Sequence, residues 1–167
     1  MQYLKRYIIK TVSIFVVAFM SSFLFGATFA PPGQFLSVNG QMVFKSPATF
    51  QSAVTCDASL YGVVDGDGVA NITTVSLSGT NTLCRKVVVS LSAWSMTAVG
   101  SSNISIGNTP FSLSGFPSGP LSNCGPRTLS GFWTSLPNKL NVLNQPLAGS
   151  CTIVSLTAQF TDLHITP

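Results

Sequence analysis

From Phe35 onward, apolar and polar residues alternate with a period of two, broken at intervals by clusters of Gly, Pro, Asn and Ser. Successive strand side chains point to opposite faces of a sheet, so this rhythm predicts half-buried strands separated by turns. The first covers 35–44 and contains Asn39-Gly40, the dipeptide that best fits a tight hairpin turn. Strands are expected over 49–56 and 60–64, followed by Asp65-Gly66-Asp67-Gly68 as a turn, and then over 69–77. Further strands fit 86–94, 103–106, 111–113, 129–133, 140–143 and 152–160. Between Asn108 and Arg127, four prolines and several glycines predict a long loop with a short strand inside it. Many short strands at this spacing predict an all-β fold: a single antiparallel β-sandwich or barrel-like domain.

The N-terminus has a different pattern. Lys5, Arg6 and Lys10 precede an apolar run over 12–25 that only three serines interrupt. A basic start, an apolar stretch and then small residues describe a secretory signal helix, and the run is shorter than the ~20 residues that span a bilayer. The expected organisation is a signal peptide over 1–30 and a secreted β domain over 31–167. Thr28 and Ala30 are the small residues that suit cleavage after Ala30, although Pro31 directly after that bond would hinder the cut.

Composition narrows the picture. Only 7% of the 167 residues are charged and none is Glu, whereas Ser and Thr number 23 and 16. A typical domain is about 25% charged. The deficit argues against helical bundles, charged disordered tails and nucleic-acid binding, which needs clustered cations. The formal charge of +4 is mostly an export feature, because residues 31–167 hold five cations and four anions.

Cys56, Cys84, Cys124 and Cys151 all lie in the expected secreted part. An even count in an exported chain suggests two disulfides. Three connectivities are open, and the nearly equal intervals 56–84 and 124–151 favour pairing within each half. A zinc site is disfavoured, since no CxxC spacing exists and only His164 is available to assist.

Acid–base chemistry is scarce. His164 is the only histidine, and a triad with Asp162 would need a nucleophile that no motif marks. Glycoside hydrolysis needs two flanking carboxylates, and two of the four Asp residues share one turn. Asp65 and Asp67 offer oxygens for calcium, but the Asp-Gly pairs also make a tight turn, which is the expected role. Asn71-Ile72-Thr73 and Asn103-Ile104-Ser105 match the N-glycosylation pattern and read as strand residues. Phe35, Phe44, Phe50, Phe111, Phe132, Phe160, Trp94 and Trp133 are expected in the core. Phe116, flanked by Pro and Gly in the long loop, is the candidate for an exposed apolar contact.

Several segments together resemble a known family. Lys45-Ser46-Pro47-Ala48-Thr49-Phe50-Gln51-Ser52 leads to Cys56, and Leu83-Cys84 follows. Then come Cys124-Gly125-Pro126, Leu129-Ser130-Gly131-Phe132-Trp133 and Gln145-Pro146-Leu147-Ala148-Gly149-Ser150-Cys151-Thr152-Ile153. This order resembles the alkane oxidation protein activators of the PraB type, small exported bacterial proteins associated with growth on hydrocarbons. The resemblance carries over only the four cysteines, as structural bridges. Together with the export signal and the weakly charged Ser- and Thr-rich surface, it points to an exported β protein that aids hydrocarbon access at the cell surface or an oil–water interface. The scarcity of acid–base and metal-ligating residues makes that protein an expected non-enzyme without cofactor or metal. Its expected partners are hydrocarbon or cell-surface material, with no nucleic acid. The alternative is a self-associating structural subunit of a pilus, coat or biofilm matrix, for which residues 31–45 would supply a free donor strand.

Overall fold

A computed structural model describes residues 26–89, 94–114 and 119–167. Residues 1–25 of the signal peptide expected over 1–30, and the candidate Phe116, lie outside them. Among the described residues the strands are β1 (Thr28–Ala30), β2 (Gly33–Lys45), β3 (Val54–Val64), β4 (Ala70–Ser78), β5 (Val87–Val89), β6 (Trp94–Ala98) and β7 (Asn103–Gly107). They continue with β8 (Phe111–Ser114), β9 (Leu121–Cys124), β10 (Leu129–Ser135), β11 (Asn138–Leu147), β12 (Cys151–Phe160) and β13 (His164–Thr166). Two short 3-10 turns cover Pro47–Thr49 and Thr82–Lys86.

Eight strands close into an antiparallel barrel in the order β10-β11-β12-β2-β3-β4-β6-β7, with β7 pairing back to β10. The predicted all-β domain is therefore a barrel. Beside it stand a three-stranded sheet, β5-β8-β9, and a two-stranded ribbon, β1-β13. An eight-stranded barrel is just wide enough for side chains to fill. Met42, Leu60, Ile72, Met96, Ile106, Leu129, Leu140 and Ile153 all point inward and are fully buried. The outward positions of the same strands carry mainly Ser, Thr, Asn and Gln. This inward-apolar order is the reverse of a membrane-spanning barrel, whose apolar band faces lipid.

One end of the barrel is closed by aromatic rings. Phe29 meets Trp133 edge-on at 5.3 Å, Trp133 stacks on Phe160 at 5.6 Å, and Phe160 meets Phe35 edge-on at 5.7 Å. Edge-to-face and offset geometries at these separations are favoured by the ring quadrupoles.

Two expected breaks are absent. Asn39-Gly40 makes no hairpin turn but lies inside the continuous β2. Residues 37–40 oppose only 58–60 of β3, a bulge between the pairs Leu36↔Tyr61 and Gln41↔Asp57. The Ser37 hydroxyl accepts the Leu60 N–H at 2.8 Å within the bulge. Gly40 is needed there for space, since a Cβ would run into the Ala58 and Thr157 carbonyls of the strands on either side. Likewise β3 runs unbroken through 57–59. A second bulge, between Tyr61 and Gly62, switches the inward set of β4 from Ala70 and Ile72 to the partly buried Val75 and Leu77. In the predicted long loop, β8 and β9 form two short strands where one was expected.

The four cysteines form two bridges, Cys56–Cys84 and Cys124–Cys151, which is the pairing within each half. Both suggest an oxidising, exported environment. Among the described residues no helix is long and apolar enough to cross a membrane.

Candidate functional site

Within β10 the inward residues are Leu129, Gly131 and Trp133, so the pleat forces Phe132 outward. Phe132 is 59% exposed, which corrects its expected place in the core. Phe50 is corrected in the same way: it ends the 3-10 turn in a left-handed conformation (φ 51°) and is 71% exposed.

Phe132 does not stand alone. Its register partners are Asn103 on β7 and Asn141 on β11. The β6–β7 turn brings Val99 beside them, closed by the Val99 N–H donating to the Asn103 carbonyl at 2.8 Å. The same turn is tied to β10 where the Trp133 N–H donates to the Ser102 carbonyl at 2.8 Å. On the other side Leu143 of β11 faces outward and is 53% exposed. Val99, Phe132 and Leu143 thus rim a groove of about 580 Å³. Ile104 and the backbone of Gly131 line its floor, and Asn103, Ser105, Ser130 and Gln145 supply its polar edge.

Gln145 fixes one wall. Its side-chain carbonyl accepts the Ser130 N–H at 3.2 Å, and its amide donates to the Leu143 carbonyl at 2.9 Å. The lining holds no Asp, Lys, Arg or His. Such a groove offers dispersion contacts and apolar burial with neutral hydrogen-bonding groups around them, a composition suited to an uncharged, apolar contact. By contrast, a cleft of about 480 Å³ on the β2-β3 side of the wall is lined by Gln41, Asp57, Ser59, Lys139 and Gln159. That one is polar and charged.

The other sequence candidates are spread over the molecule. His164 on β13 sits exposed, its Nδ1 3.2 Å from the backbone carbonyl of Asp162, while the Asp162 carboxylate accepts from Thr161. The two side chains do not form the dyad that a triad requires. The Asp65 carboxylate is filled by its own turn: it accepts from the Asp67 N–H (3.0 Å), the Val69 N–H (2.9 Å) and the Asn71 amide (3.0 Å). The Val69 bond, above all, holds its pKa below the ordinary carboxylate value; burial opposes this, and the Asn71 and Asp67 bonds add to it. Asn71 and Asn103 of the two glycosylation patterns both lie in strands.

Val99 and Leu143 were not signalled by any motif. The alternation within β10 could have placed Phe132 on the outer face, since the inward Leu129 and Trp133 both stand at odd offsets from it.

A family model described as "Alkane oxidation protein activator PraA/PraB-like" matches residues 1–167. Neither curated proteins nor solved structures include a match to this chain.

Proposed function

Since the chain belongs to the PraA/PraB-like family of alkane oxidation protein activators, we propose that it is an exported, non-enzymatic barrel that brings hydrocarbon within reach of the cell. It acts at the cell surface or the oil–water interface, contacting apolar liquid through the face built by Val99, Phe132 and Leu143. The observation that carries this reading is the groove rimmed by Val99, Phe132 and Leu143 with an uncharged edge. Leu36, Val38 and Val63 are also exposed on the wall, on β2 and β3, but do not line this groove. Three outward apolar side chains on one groove lose unfavourable hydration on adsorption, and the neutral edge carries no charge that must be stripped of water. The basic start and apolar run of the N-terminus support export, as do the two bridges.

Purified protein at micromolar concentration is expected to lower hexadecane–water interfacial tension and stabilise droplets. The double variant Phe132→Ser, Leu143→Ser should lose most of that activity while its melting temperature stays within a few degrees, because both side chains are exposed. Wild-type protein with no interfacial effect would remove the reading.

A structural-subunit role has one observation in its favour: among the described residues, the β5-β8-β9 sheet has no strand beyond β5 or β9. The donor strand expected from residues 31–45 does not exist in free form, because β2 is paired on both sides by β3 and β12. A chain that stays monomeric through prolonged incubation would exclude this role.

A further inference from the structure

Cleavage after Ala30, the position that small residues suggest, would remove β1 from the protein. The structure ties that strand down at every residue. Thr28, Phe29 and Ala30 pair with Thr166, Ile165 and His164 of β13. The Thr28 and Thr166 hydroxyls lie 3.1 Å apart, and the Thr166 hydroxyl donates to the Thr28 carbonyl at 3.3 Å. The Phe29 N–H donates to the Gly68 carbonyl at 2.9 Å, which fastens β1 to the β3–β4 turn as well. Gly68 has φ +74° and a Cβ there would strike the Thr28 side chain, so the turn is shaped around this strand.

Phe29 is the anchor. It is 1% exposed and abuts Trp133, the first link in the aromatic cluster at the barrel end. Without it, Trp133 would lose its edge-on partner, and β13 would keep no strand neighbour among the described residues. Gly26, just before the strand, is exposed with open space around it.

We infer that β1 is a permanent part of the working protein, so that N-terminal processing occurs before Thr28 and not at the Ala30–Pro31 bond. Proline after the scissile bond points the same way, since it would hinder cleavage there. The inference rests on the proposed export for the existence of a cut, but not for the role of β1 in closing the barrel.

The test is intact-mass and N-terminal sequence determination on the protein isolated from culture, in released and cell-bound fractions. A first residue at or before Thr28 is the expected result. A chain beginning at Pro31 overturns the inference. An uncut chain supports the retention of β1 but overturns the processing step placed before Thr28. Independently, Phe29→Ala in the full chain should lower the melting temperature by about 10 °C, and Phe29→Leu by clearly less. Variants that melt like the parent would overturn the role assigned to β1.

Discussion

Every strand of the barrel has a hydrogen-bonded neighbour on both sides, whereas among the described residues β5 and β9 each have one, on β8. The barrel buries a continuous set of long inward side chains. The small sheet contributes few, chiefly Phe111, which meets Phe44 edge-on at 5.7 Å, and Leu113. A sheet of three short strands is marginal alone and needs packing or a covalent tie. The bridges fall where that need is. Cys56–Cys84 joins β3 to the 3-10 turn that leads into β5, and Cys124–Cys151 joins β9 to β12. Each therefore runs from the barrel wall to the appended sheet or to the turn leading into it, and neither staples the barrel to itself. Close backbone contact repeats the theme: the Gly125 N–H donates to the Ala148 carbonyl, and Gly149 passes so near the Asn123 carbonyl that a side chain would not fit. The barrel is held by closure and core, the appendage by covalent and backbone ties to it.

Attacking the two regions separately breaks or sharpens this contrast. The largest effect belongs to the barrel core. Trp133→Ala removes the ring that links Phe29 to Phe160 and should cost about 3–5 kcal/mol. Thermal melting should fall by ten degrees or more in a single cooperative transition. A small effect would mean that the aromatic end does not hold the barrel. Next in size is Cys124→Ser with Cys151→Ser, which releases a loop closed over 27 residues and worth about 3–4 kcal/mol by chain entropy. Here the signature is local. Hydrogen exchange should quicken in β8 and β9 well before it does in β2, β3 and β12. Uniform loss of protection across both regions would show that the bridge supports the barrel too.

How far the sequence reveals these regions follows the distance over which each is specified. Alternation within single strands is local, so β4, β10, β11 and β12 are legible from residue pattern. The bridges are legible from cysteine count and interval. Asp65-Gly66-Asp67-Gly68 is legible because its hydrogen bonds close within seven residues. Closure is not, since it depends on β7 meeting β10 across the long loop. Nor is β1, three residues whose register partners lie some 138 positions away. Asn39-Gly40 misleads because the local signal for a turn and the tertiary need for a glycine between two close carbonyls use the same residue. At the candidate groove, strand parity puts Phe132 outward. Only the fold shows that Val99, from a turn, and Leu143, from the next strand, join it.

The smallest expected effect sharpens the contrast at the barrel end where β1 docks. Asp65 shapes the turn whose Gly68 carbonyl receives the Phe29 N–H. Its pKa is lowered in the folded protein, first by the Val69 N–H bond against the opposing effect of burial, with the Asn71 and Asp67 bonds adding to the lowering. A carboxylate that is more acidic folded than unfolded stabilises the fold above its unfolded pKa of about 4. That contribution fades as pH falls through the lower folded value. Asp65→Asn should therefore melt slightly below the parent at pH 6, and the two curves should converge as pH drops below about 4. The group is solvent-accessible, so the gap at pH 6 should be the smallest of those considered. A gap that is constant from pH 3 to 7 would mean that Asp65 acts through its shape alone, and that ionisation contributes nothing to holding this end of the barrel.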